Sequence, residues 1–198
     1  TKAALGSLDI AKAMLRAGMS GLGDSRIENI EAMRQQRISA PIMLIRSPML
    51  SQVNRVVRNA DISFNTELSV VRRLSAAAEE AERSHGIVLM VELGDLREGI
   101  LPEDLVSTAR EVMRLPNLEL TGIGTNLACH SGMTPDADNM GALSALADRV
   151  EAELDVKLAL ISGGNSANLD WALSNSATGR INHLRLGEAI LRGCEPLP

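Results

Sequence analysis

One lysine and two glycine-bearing turns are the groups in this chain whose types and spacing could do chemistry. Lys2 precedes a small-residue turn, AALGS (3–7), while SGGNSANL (162–169) and HLRLGEAILRG (183–193) lie near the other end. A lysine amine condenses with carbonyl compounds and so acts as a covalent catalyst. In Ser162-Gly163-Gly164-Asn165-Ser166 the glycines let the backbone approach an anion, and the Ser166 hydroxyl with nearby amides can meet a phosphate. Taken alone, that segment reads better as a plain helix N-cap. Gly187-Glu188 offers a second pair of backbone amides. Barrel enzymes often build phosphate sites from the loops after their last two strands together, so two such turns in those places favour the anion site. An amine facing phosphate-holding turns is what a pyridoxal phosphate (PLP) enzyme needs.

Arg185 stands two residues before Gly187 and shares its strand face, pointing toward the centre of a barrel. A buried arginine needs an acceptor, and by itself it would pair with Glu92 or Asp61. Beside PLP it can instead donate to the pyridine nitrogen. A permanent cation there opposes protonation of that nitrogen. The ring is then a weaker electron sink, which suits racemisation and argues against transamination.

The elements that must position these groups alternate along the whole chain. Short apolar runs at 22–25, 41–46, 60–65, 86–93, 118–125, 156–163 and 181–187 read as buried strands bounded by turn residues. A truncated strand ending at Thr1-Lys2 would precede them. The helices between have start signals: Ser25 with Glu28 as a capping box, Ser51 and Thr66 as N-caps, and Pro102 at a first helical position. Gly18 follows its helix as a C-terminal cap would. Parallel strands with alternating helices make a TIM (β/α)8 barrel with its first strand truncated, one domain over 1–198. A doubly wound sheet would carry GxGxxG after its first strand, and none is present.

Composition excludes several classes. A formal net charge of −5 with one Phe, one Trp and no Tyr gives no nucleic-acid footprint. Two cysteines make no disulfide framework and point to a cytoplasmic setting. No apolar run reaches the roughly 20 residues of a membrane span, and no metal is expected.

The segments GDSRIEN (23–29), LIRSPML (44–50), ADISFNTE (60–67), ELGDLREGILPEDL (92–105), GIGTNLAC (122–129), SGGNS (162–166) and NHLRLGEAIL (182–191), with Lys2-Ala3-Ala4, resemble the alanine racemase N-terminal-domain superfamily, in its ornithine racemase branch. The resemblance runs collinearly from Thr1 to about Gly193. It implies a PLP barrel and a two-base racemase acting on a small amino acid, as a cytoplasmic homodimer. Lys2 falls at the family's Schiff-base lysine, Ser166 at its phosphate-binding serine and Arg185 at its pyridine-nitrogen arginine. Ser162, Gly164, Asn165, Gly187 and Glu188 complete the expected cofactor contacts. Arg97 matches the arginine that binds the substrate carboxylate.

The chain departs from the family pattern at three points. AALG stands where alanine racemases have a phosphate-binding tyrosine, and Asn126 where they have a histidine near the ring. Their second base is a tyrosine from a C-terminal domain of the partner subunit, and this chain has no tyrosine. That base is expected in sequence beyond the chain, with Cys129 or His130 as the substitute. Among the acidic residues Glu92, Asp95, Glu98 and Asp24, one facing the cofactor, Asp95 foremost, could hold the distal ammonium of ornithine or lysine. A solvated acidic rim is the plainer meaning of that cluster. Two other functions compete. One is a non-catalytic PLP-binding homeostasis protein of the same superfamily, and the other a barrel aldolase or phosphosugar enzyme with no use for Arg185.

Overall fold

A computed structural model of the chain describes residues 1–128, 132–175 and 177–193; Cys129 and His130 therefore lie outside the described residues. Seven strands alternate with helices, and strand order follows chain order throughout. Two compact units emerge, one formed by Thr1–Ile87 with Val112–Glu119, the other by Val88–Glu111 with the chain from Leu120 onward.

In the first unit, β1 (Leu22–Asp24) pairs in parallel with β2 (Ile42–Leu44), and β2 with β3 (Ile62–Asn65). Around them lie α1 (Leu8–Arg16), α2 (Ile27–Gln35), α3 (Val53–Asn59) and α4 (Leu68–Glu80). Ile27, Ile30 and Met33 on α2 and Val53, Val56 and Val57 on α3 are buried, as their helical spacing predicts. β4 (His85–Met90) is buried at every position, the pattern of a parallel strand covered on both faces. The segment 112–119 supplies acceptors to this unit: Ser75 Oγ donates to the Pro116 carbonyl at 2.8 Å, and the His85 amide to the Asn117 carbonyl at 3.0 Å.

In the second unit, residues 122–124 of β5 (Leu118–Gly124) pair in parallel with β6 (Leu160–Gly164), and β6 with β7 (His183–Leu184). The helices are α5 (Leu105–Met113), α6 (Ala137–Leu154), α7 (Leu169–Ser174) and α8 (Glu188–Arg192). At Gly122 the strands run so close that an added Cβ would lie 1.9 Å from the Leu160 carbonyl oxygen. Two expected strands begin later or end sooner than their apolar runs. Glu151 intercepts the 156–159 stretch, its Oε1 accepting the Leu158 amide at 2.8 Å while Arg180 and Lys157 pair with the same carboxylate. The Asn182 side chain substitutes for ladder bonds, accepting from the Ile161 amide and donating to the Ala159 carbonyl, and the β6–β7 register shifts between Ser162 and Gly164.

Helix ends depart from expectation more than helix positions do. Gly18, at φ +92°, completes a Schellman close, with Met19 N–H on the Met14 carbonyl and Gly18 N–H on the Leu15 carbonyl. Ser25 makes no cap, because Asp24 Oδ1 takes the Arg26 amide at 3.0 Å and the helix starts after Arg26. Ser51 sits inside a 3₁₀ turn, Leu50–Gln52, that leads into α3 without a side-chain cap. Thr66 is drawn to Ser47, whose Oγ accepts its amide, and α4 begins after Glu67. The helix expected at Pro102 begins at Leu105. A capping box lies elsewhere, between Asp136 and Asn139 at the start of α6. No described residues form a strand at Thr1-Lys2; Lys2–Ala4 is a 3₁₀ turn, with the Thr1 nitrogen donating to the Gly23 carbonyl at 2.7 Å.

Candidate active site

In the second unit, β6 delivers Ser162 to a fully buried position and ends at Gly164. Gly164 is at φ +148°, and a Cβ there would lie 2.0 Å from Asn168 Oδ1. Asn168 fills that space and donates to the Gly163 carbonyl at 2.9 Å. Asn165 and Asn168 form a reciprocal box around the short 3₁₀ turn Ser166–Asn168, so the two asparagines fix the loop that carries Ser166. The Ser166 hydroxyl oxygen accepts the Gly187 amide at 3.2 Å and the Ala189 amide at 3.1 Å. The two turns singled out by sequence therefore meet at one hydroxyl, with Glu188 between the two donating amides.

Arg185, on the approach to the second turn, is held by side chains and backbone of two neighbouring strand ends. Its Nη1 donates to Ser162 Oγ, and its Nη2 to the Thr125 carbonyl at 2.7 Å and to Asn126 Oδ1. Thr125 is fixed in turn by donating to the Val91 carbonyl at 2.9 Å. Ser162 Oγ also lies 2.8 Å from His183 Nδ1. Ser162 Oγ, accepting from Arg185, thus joins the arginine to the His183 ring. Burial, and secondarily the Arg185 charge, pushes the His183 pKa down to about 4. The arginine is thus the permanent cation of this group.

Asn126 connects this cluster to the expected substrate arginine. Its Nδ2 donates to Glu98 Oε1 at 3.1 Å, and Glu98 Oε1 also receives Arg97 Nη2 at 2.7 Å. Flipping the Asn126 amide would set its NH2 against a guanidinium and its carbonyl against a carboxylate, so Glu98 and Arg185 jointly fix its orientation. Asp95 is 1% exposed, and its Oδ2 lies 3.8 Å from Arg97 Nε. Glu92 accepts the Gly94 and Leu96 amides, and Asp61 accepts from Arg34 and the Ile42 amide, so each of these carboxylates is engaged locally.

The structure brings together Asn126, Ser162, Gly164, Asn165, Ser166, Arg185, Gly187 and Glu188 in one unit, with Arg97 joined to Asn126 through Glu98 and Asp95 beside Arg97. His183 and Glu98 belong to the same web and escaped the sequence reading as bridging groups. The signal for His183 was its i, i+2 spacing from Arg185 on one strand. Lys2 belongs to the first unit, on an exposed single turn whose neighbours are Thr1, Asp24 and Asn29.

This donor set fits the group expected. Ser166 Oγ accepts the Gly187 and Ala189 amides and so keeps its own O–H to donate to a phosphate oxygen. Arg185 offers a donor that cannot lose its proton, as an unprotonated pyridine nitrogen requires. Among the described residues no group of three or more His, Cys, Asp or Glu side chains could hold a metal, and no helix is long and apolar enough to cross a membrane.

The family model "Alanine racemase, N-terminal domain" matches residues 1–194. The chain is 38% identical over 188 residues to an ornithine racemase of Acetoanaerobium sticklandii, covering 94% of this chain and 53% of that protein. It is 34% identical over 194 residues to a lysine racemase of Thermotoga maritima, covering 98% and 54% respectively. The chain thus spans about half the length of the curated relatives it matches. Among solved structures it resembles an alanine racemase of Clostridium difficile 630 in complex with cycloserine, with a TM-score of 0.76 and 19% identity over 91% of this chain and 49% of that one. It also resembles PipY of Synechococcus elongatus PCC7942 with PLP bound, with a TM-score of 0.76 and 18% identity over 91% and 85%. These likenesses establish the fold as the α/β barrel type of alanine racemases.

Proposed function

Because the chain belongs to the alanine racemase N-terminal-domain family, we propose that it is the cofactor-holding part of a PLP-dependent racemase acting on a basic amino acid, ornithine first. The observation that carries this reading is the Arg185 web. A guanidinium fixed by Ser162, Thr125 and Asn126, beside a hydroxyl–amide cradle at Ser166, suits a pyridine nitrogen and a phosphate on one ligand. When bound, PLP withdraws electrons from the amino-acid Cα so that its proton can leave. Lys2 forms the covalent link to the cofactor and moves the proton at Cα on one face. Arg97, braced by Glu98, binds the substrate carboxylate, and Asp95 beside it gives the site its preference for a distal ammonium. The opposite face needs a second base, which in this reading comes from the partner subunit of a cytoplasmic homodimer.

The test is racemisation of L-ornithine, L-lysine and L-alanine by the full-length protein, followed by chiral chromatography. Turnover of ornithine or lysine above alanine is expected. PLP bound without racemisation of any of the three would favour a non-catalytic PLP-holding protein.

A further inference from the structure

The turn that carries Lys2 is only three residues long, with Ala4 N–H on the Thr1 carbonyl at 2.9 Å and Leu5 N–H on the Lys2 carbonyl at 3.2 Å. A single 3₁₀ turn has little stability of its own. The residue before it is bonded to a buried carboxylate, and the chain after it packs against a side chain bonded to that same carboxylate. Asp24 is 0% exposed. Its Oδ2 accepts the Thr1 hydroxyl at 2.7 Å, immediately before Lys2. Its Oδ1 accepts Asn29 Nδ2 at 3.0 Å, together with the Arg26 amide at 3.0 Å. The Asn29 amide lies against Gly6, where the chain turns back at φ +74°, and a Cβ on Gly6 would stand 2.4 Å from Asn29 Cγ. The Gly6 amide in turn donates to the Thr1 carbonyl at 3.1 Å. One carboxylate thus reaches the residue before Lys2 directly and the turn after it through Asn29.

We propose that Asp24 and Asn29 are positioning residues for Lys2, holding its turn from both sides so that the amine is presented in one place. This rests on the reading of Lys2 as the residue joined to the cofactor. It reassigns Asp24, since a carboxylate whose two oxygens are occupied by Thr1, Arg26 and Asn29 holds the backbone rather than a substrate ammonium. The chemistry at Asp24 makes the two roles separable. Arg26 and Asn29 only donate to Oδ1, whereas the Thr1 hydroxyl can donate to the Gly23 carbonyl, 3.2 Å away, and accept instead. An asparagine at position 24 can therefore keep its carbonyl toward Arg26 and Asn29 and donate its NH2 to Thr1. Acceptor placement, not charge, is what this role needs.

The experiment uses the full-length protein and begins by trapping PLP with borohydride and mapping the labelled peptide. A label elsewhere than Lys2 would remove the functional reading itself. With the label on Lys2, Asp24→Asn, Asp24→Ala and Asn29→Ala are compared for the rate of reducible adduct formation at Lys2 and for kcat and KM. Asn29 is half-buried, and its truncation leaves Asp24 bonded to Thr1 and Arg26, so this variant covers the case in which Asp24→Ala fails to fold. Expected are adduct formation and kcat about tenfold lower in Asp24→Ala and Asn29→Ala at unchanged KM, and near-parent values in Asp24→Asn. Parent adduct rates in Asn29→Ala, or a KM for ornithine raised selectively in Asp24→Asn, would overturn the proposal.

Discussion

Arg185 illustrates how a single residue's role depends on the geometry of its donors. Its guanidinium reaches a hydroxyl, a backbone carbonyl and a side-chain amide at once, and a lysine ammonium could not hold three such directions with a fixed plane. Arg185→Lys is expected to fold, to bind PLP more weakly and to lose about a hundredfold in activity through misplacement of the ring. Arg185→Glu would set an acceptor beside the pyridine nitrogen and keep it protonated. A new long-wavelength absorption should then appear during turnover while racemisation slows; an unchanged spectrum in a folded, PLP-loaded variant would defeat the role. Arg185, Ser162, Ser166 and Gly187 were legible because their spacing on strand ends follows from a period of two and from turn chemistry. His183 and Glu98 were not. Their parts depend on which oxygen faces which nitrogen across strand ends, as when Ser162 Oγ accepts a hydrogen bond from Arg185 while lying against His183 Nδ1.

At the scale of elements, the seven full strands expected are present among the described residues, because strands buried on both faces announce themselves as apolar runs, whereas the truncated strand expected at Thr1-Lys2 is a 3₁₀ turn. Their ends were harder, since side chains compete with the ladder: Glu151 captures the Leu158 amide and Asn182 the Ile161 amide. Helix starts shifted through similar side-chain bonds, as when Asp24 took the Arg26 amide and the helix began after Arg26 rather than after Ser25. Gly122 gives the sharpest test of the strand packing. A methyl group there would meet the Leu160 carbonyl oxygen at 1.9 Å, and that obstacle is backbone, which cannot rotate away. Gly122→Ala must part β5 from β6 and is expected to cost about 3 kcal/mol, the upper part of the overpacking range. Urea denaturation measures it, and a loss below about 1 kcal/mol would show that β6 yields without cost.

For the molecule as a whole, acid should act in two stages. Burial pushes His85 and His183 down to about 4, while in the unfolded chain each titrates near its ordinary value of about 6.5. The unfolded form therefore takes up more protons in between, so this contribution is complete above about pH 6.5 and lost as pH falls toward 4. Glu151, held down to about 2 first by the Leu158 amide and then by Arg180, adds a second loss below its ordinary range. The urea midpoint should be level above pH 7, fall between pH 6.5 and 4, and fall again below; a level profile down to pH 4.5 would contradict it. The Ser75 and His85 bonds to Pro116 and Asn117 have a further consequence, for dissection of the gene. The first unit is not a contiguous stretch of chain, so no single scission yields it intact without excess sequence. A fragment ending at Ile87 would carry a serine hydroxyl and a strand amide stripped of their acceptors, whereas one ending at Glu119 retains them. Expressed separately, the longer fragment should be the more resistant to proteolysis, and split-protein reconstitution or circular permutation should succeed at breakpoints after 119 before it succeeds at 87.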